Sequence, residues 1–97
     1  MYAVIFRATV GELDQQYAEA IERMKELAFE EFGCLEFIAL TEGDERIAIS
    51  YWNSEEDIRN WKGNSEHLNA QGQGREKWYQ SYTVQVAEVR REYSHNR

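Results

Sequence analysis

Proline is absent from this chain and cysteine occurs once. No Pro/Ser-rich linker, internal repeat or low-complexity segment divides it, so residues 1–97 read as a single domain. Cys34, being alone, cannot form an intrachain disulfide, and no Cys/His cluster suggests zinc. Its simplest role is that of a small buried hydrophobe. No apolar run approaches the ~18 residues a membrane span needs. No signal peptide is legible either, so a cytoplasmic location is expected by elimination. Positive charge is scarce: 11 Lys and Arg stand against 18 Asp and Glu, for a net charge of −7. An acidic surface repels phosphate backbones and anionic headgroups, so neither nucleic acid nor membrane is expected as a partner.

Familiar catalytic motifs are missing too. There is no Gly-x-Ser-x-Gly, no P-loop and no Cys-x-x-Cys. Gly72-Gln73-Gly74 is a fragment of a glycine-rich phosphate loop, but it falls in a helical stretch and reads as a kink or a close backbone approach. The acid pairs Glu30-Glu31 and Glu55-Glu56 sit at helix ends, as dipole and solubility residues do.

What is present is apolar and aromatic. Hydrophobic residues make up 42% and aromatics 13%, too much for a disordered chain. Tyr2 to Val10 reads as a strand, with Tyr2, Val4, Phe6, Ala8 and Val10 on one face and Ala3, Ile5, Arg7 and Thr9 on the other. Arg7, a charge inside an apolar strand, is expected to find an acidic partner. Asp14 can cap a helix running to about Glu31, whose stripe of Tyr17, Ala20, Ile21, Met24, Leu27 and Ala28 faces a core. Gly33 sits where that helix would end in a left-handed turn. Cys34 to Thr41 and Arg46 to Trp52 read as an antiparallel hairpin joined across Glu42-Gly-Asp-Glu45. Ser54 caps a second helical region, with Asp57 three positions on as in a capping box. That region runs to about Ser81, broken at Gly63-Asn64, recapped by Ser65, and broken again at Gly72 and Gly74. Tyr82 to Tyr93 reads as the last strand.

The order β-α-β-β-α-β is that of an α+β, ferredoxin-like split βαβ: a four-stranded antiparallel sheet with its helices on one face. Yet the strands are apolar on both faces. Ile5 opposes Val4 and Phe6, Ile38 and Leu40 oppose Phe37, and Ile47 and Ile49 oppose Trp52. The last strand changes phase between Val86 and Ala87, as at a bulge. Helices can cover only one face. The other is expected to pack on a second copy as a homodimer, closing a dimeric α+β barrel. A monomer that wraps its sheet around a ligand is the alternative.

Polar and aromatic residues mixed with glycine suit a cavity wall. On a helix, His67, Gln71, Gly74 and Trp78 share one stripe, and Leu68, Gly72, Arg75 and Tyr79 the next. Trp52 and Trp61 bracket the strand-helix junction and can join that wall. Trp61 also reads as a core residue, His67 as a hydrogen-bonded or exposed histidine, and Asn60 and Asn64 as helix-end residues.

The element order, the junction Ile49-Ser-Tyr-Trp-Asn-Ser-Glu-Glu56, Trp61, Ser65-Glu-His67 and Trp78-Tyr-x-x-Tyr82 resemble the antibiotic biosynthesis monooxygenase family. The resemblance spans nearly the whole chain. It implies a homodimer with a pocket between helices and sheet in each protomer. It implies oxidation of a small aromatic compound, quinol or polyketide-like, by O2 without metal, flavin or other cofactor. His67, Trp61 and Asn64 would be the catalytic set, with His67 moving the proton. Trp52, Asn60, Gln71, Arg75 and Trp78 would bind the substrate. Other members bind and degrade haem, using a histidine ten positions beyond a tryptophan like Trp61 and an asparagine in the first strand. Here those positions hold Gln71 and Phe6-Arg7. A dimeric protein that binds an aromatic ligand without turnover is a further reading of the same pocket.

Overall fold

The computed structural model describes residues 1–97, except for the side chains of Ser65, Glu66 and Leu68, so the expected cap at Ser65 and the stripe position of Leu68 lie outside the described residues. Four strands, β1 (Tyr2–Val10), β2 (Glu36–Glu42), β3 (Glu45–Trp52) and β4 (Tyr79–Glu88), form one antiparallel sheet in the order β2-β3-β1-β4. Helix α1 (Gln15–Glu30) links β1 to β2; α2 (Glu55–Lys62), α3 (Ser65–Gln73) and one wide π-helical turn (Gly74–Trp78) link β3 to β4.

Local chemistry sets most of these boundaries. The Asp14 carboxylate accepts from the Tyr17 N–H at 2.9 Å and the Ser54 hydroxyl from the Asp57 N–H at 3.1 Å, so both helices start where a side chain satisfies an otherwise orphaned donor. Gly33 (φ +80°) turns the chain out of α1 and Gly43 (φ +61°) makes the tight β2–β3 hairpin, both in the left-handed region.

Two strands differ from expectation. Regular pairing of β2 begins only at Glu36, because Cys34 donates back to the Ala28 carbonyl at the end of α1. Strand β4 runs from Tyr79 to Glu88 rather than from Tyr82 to Tyr93: its partner β1 starts at Tyr2 opposite Glu88, and beyond that point one bond remains, Val89 N–H to the Met1 carbonyl at 2.9 Å. The bulge expected at Val86–Ala87 lies at the other end, where Thr9 pairs with Ser81 and Val10 with Tyr79, leaving Gln80 as the extra residue.

Register decides which side chains share a face. Val4, Phe6, Ala48, Ser50, Trp52 and Val84 point under the helices, where Val4 and Trp52 join Met24, Leu27, Ala28, Cys34, Ile58 and Trp61 in the core. Burying each large apolar side chain here is worth about 1.5–3 kcal/mol. The other face carries the cross-strand pairs Ile5–Ile49, Ile49–Ile38 and Ile47–Leu40. Its outer residues are bare: Ile38 is 43%, Leu40 72% and Ile47 46% exposed. Arg7 lies exposed on this face with no ion pair among the described residues; being solvated, it does not need the acidic partner expected for it.

Candidate active site

The helix-covered face does not close completely. A partly open cavity of about 120 Å³ lies between the sheet, α1 and the α2–α3 arm. Phe6, Phe37 and Tyr82 floor it, Ile21 and Met24 flank it from α1, and Trp61, His67 and Gln71 wall it from the other arm. An apolar cavity of ~150 Å³ takes up benzene; this one is somewhat smaller but partly open, so it suits a single aromatic ring whose substituents reach into the opening.

Trp61 anchors one wall. It follows Ile58 by three positions, and both face inward from α2. Its indole N–H donates to the Met24 carbonyl at 3.2 Å, and its ring packs on Trp52 with centroids 5.1 Å apart. Trp52 is fully buried and spends its own N–H on the Ser50 hydroxyl at 2.9 Å. Both N–H groups are therefore occupied within the protein. The two tryptophans thus have ring surface and no free indole N–H to offer a ligand.

His67 stands edge-on to Trp61 with ring centroids 4.7 Å apart. Its Nδ1 is buried and has no hydrogen-bond partner among the described residues. Burial, helped by the nearby Lys62 ammonium, pushes its pKa down from 6.5 to about 4. At neutral pH the ring is uncharged. A neutral imidazole nitrogen accepts a hydrogen bond in one tautomer and donates in the other.

The far end is built from tyrosines. Phe6 packs on Tyr79 and Tyr82 at 5.2 and 5.6 Å. The Tyr79 and Tyr17 hydroxyls meet at 3.4 Å, and burial, reinforced by that bond, pushes Tyr79 well above the usual phenol pKa. A Cβ on Gly74 would lie 3.0 Å from the Tyr79 ring, so the π-turn can pass there only as glycine or by displacing the ring. This turn is tied to the start of α1, where Lys77 bonds Asp14 at 2.9 Å and holds that carboxylate below its ordinary pKa. The Trp78 N–H adds weakly to that lowering without reaching hydrogen-bond geometry.

Of the residues expected at the site, His67, Trp61, Gln71 and Trp78 line the cavity together. Trp52 stands behind Trp61 rather than in the wall. Asn60 is exposed on α2, and Asn64 sits at the α2–α3 junction, its N–H on the Trp61 carbonyl at 3.1 Å. Arg75 is exposed at the start of the π-turn and does not line the cavity. Sequence reasoning missed Arg46, Lys62 and the floor residues Phe6 and Tyr82. The signal for Arg46 was there, since period-two alternation puts it on the face of Ala48, Ser50 and Trp52.

Sheet order, helices on one face and a cavity between them define an α+β, ferredoxin-like protein. The model of the antibiotic biosynthesis monooxygenase family matches residues 1–73. The chain belongs to that family. It is 44% identical over 92 residues to the uncharacterised protein YqjZ of Bacillus subtilis (strain 168), a match covering 94% of this chain and 81% of that protein. Among solved structures it is similar to SnoaB, a cofactor-independent oxygenase from Streptomyces nogalater, with a TM-score of 0.79 at 14% identity and 97% of each chain covered. It is also similar to Rv0793 from Mycobacterium tuberculosis, with a TM-score of 0.78 at 22% identity, covering 96% of this chain and 98% of that one. At these identities the structural likeness is one of fold.

Gln71, which lines the cavity, stands where the haem-degrading pattern needs a histidine, so that pattern is not met. Among the described residues no three His, Cys, Asp or Glu side chains gather as metal ligands, and no helix is long and apolar enough to cross a membrane.

Proposed function

We propose that this protein is a cofactor-independent monooxygenase that oxidises a small aromatic quinol-type compound with O2 in the helix-side cavity. The observation that carries this reading is a neutral histidine, its Nδ1 without a partner among the described residues, lining an apolar aromatic cavity together with a lysine. A ligand hydroxyl gives its proton to His67, and the charge left on oxygen is stabilised by the Lys62 ammonium. The resulting anion passes one electron to O2, and the two radicals combine to form a C–O bond. Loss of the ring hydrogen at that carbon breaks the O–O bond. One oxygen atom stays on the ring, giving a hydroxyquinone from a quinol, and the other leaves as water. The dry walls of Trp61 and Phe37 keep the protonated peroxide from solvent.

The protein acts in this reading as a homodimer through the open sheet face. The bare Ile38, Leu40 and Ile47, continuous with Ile5 and Ile49, support that pairing.

Oxygen uptake with hydroquinone tests the chemistry. The parent accelerates uptake above the spontaneous rate, and His67→Gln lowers that acceleration by about 10²–10⁴. Binding and thermal stabilisation without any oxygen uptake would instead identify a non-catalytic ligand-binding protein.

A further inference from the structure

The chain has 18 acidic residues and 11 lysines and arginines, yet among the described residues no carboxylate lines the cavity while Arg46 and Lys62 both do. An acidic protein has thus gathered two cations around a mostly apolar hole. Each stands beside a different polar group: Lys62 acts on His67, and Arg46 on Tyr79 at the opposite end.

Arg46 is the better-placed anchor. Its guanidinium carbon lies 5.7 Å from the centroid of the Tyr17 ring, and Nη1 donates to the Thr41 hydroxyl at 3.0 Å. The plane is therefore held in position, while one of its five N–H groups is occupied by a described hydrogen bond. A planar fork fixed in this way, half-buried at an apolar wall, matches a carboxylate better than a neutral hydroxyl. Nothing among the described residues pairs with it as an anion.

We propose that the cavity takes a small aromatic acid, with its ring between Phe6 and Trp61, its reacting hydroxyl toward His67 and its carboxylate on Arg46. This rests on the reading of the cavity as the substrate site and adds the substrate's charge. Gentisate carries a hydroxyl meta to its carboxylate, so one group can turn to His67 while the other meets Arg46, both of which line the cavity.

Binding of gentisate and of hydroquinone, two quinols that differ by one carboxylate, tests this. Affinity is read anaerobically from quenching of tryptophan fluorescence, so turnover plays no part. The parent binds gentisate at least about tenfold more tightly than hydroquinone, as expected for a charge-assisted hydrogen-bond pair. Arg46→Gln brings the ratio close to one with hydroquinone affinity little changed, Arg46→Lys restores part of it, and added salt narrows it. Lys62→Gln leaves the ratio in place. A parent ratio near one, a preference that survives Arg46→Gln, or one abolished only by Lys62→Gln would overturn the proposal. Should Arg46→Gln fail to fold, the partial ratio expected of Arg46→Lys decides. A gentisate preference without oxygen uptake upholds the acid pocket while refuting the oxidation; uptake with equal affinities does the reverse.

Discussion

The two faces of one sheet have been given different work. Toward the helices the strands present Phe6, Phe37, Tyr82 and Trp52 with Arg46, and the layer above them leaves a hole. Away from the helices the same strands present Ile5, Ile38, Ile47 and Ile49 with Leu40, flat and uncovered. Aromatic rings are large and rigid and pack with gaps that suit another ring. β-Branched residues make a smooth layer that suits another sheet. Because neighbouring residues on a strand belong to opposite faces, a substitution one position along moves from one function to the other.

That contrast can be broken from either side. Trp61→Ala removes a buried ring touching Trp52, Phe37 and His67, and is expected to cost about 3–5 kcal/mol in urea unfolding. Leu40→Ala on the bare face should cost the monomer almost nothing. Ile49→Glu places a charge in the proposed dimer contact, and should weaken association by about 3 kcal/mol, roughly 100-fold in Kd. Sedimentation would then show single 11.5 kDa chains that remain folded, where the parent sediments at twice that mass. An Ile49→Glu protein that stays dimeric would place the contact elsewhere.

Acid sharpens the comparison. His67 has its folded pKa depressed from 6.5 to about 4, so between those values the unfolded chain binds the extra proton. Stability is therefore constant with respect to this group above pH 6.5 and falls as pH drops from 6.5 toward 4. At about 1.4 kcal/mol per unit, the loss is at most on the order of 3 kcal/mol. His67→Gln should flatten that part of the pH profile. The smallest effects separate two glycines. Gly72→Ala meets nothing among the described residues and should stabilise α3 by up to about 1 kcal/mol, whereas Gly74→Ala must displace the Tyr79 ring and should weaken ligand binding.

Much of this was legible from spacing alone. Period-two alternation in β1 and β3 gave both sheet faces, and the caps at Asp14 and Ser54 gave both helix starts. What stayed hidden depends on distant partners. The early start of β4 follows from Val10 pairing with Tyr79, and the π-turn from Trp78 packing on Tyr17 while Gly74 passes beneath Tyr79. No local pattern around residues 74–78 encodes either contact. The 3.6-residue stripe found His67, Gln71 and Trp78, which line the cavity, while Arg75 does not. The indole N–H groups of Trp52 and Trp61 could not be assigned from sequence, because their acceptors, Ser50 and the Met24 carbonyl, are fixed only by the fold.

The central claim is that the helix-covered face holds a neutral, buried imidazole ready to meet an aromatic ligand. An NMR pH titration of the two histidine rings, without and with hydroquinone under argon, tests it most directly, with exposed His95 as internal reference. The account predicts that His67 titrates near pH 4 when free, and that its ring signals move on adding hydroquinone while those of His95 do not. A His67 that titrates near its ordinary 6.5, with signals indifferent to the ligand, would contradict it.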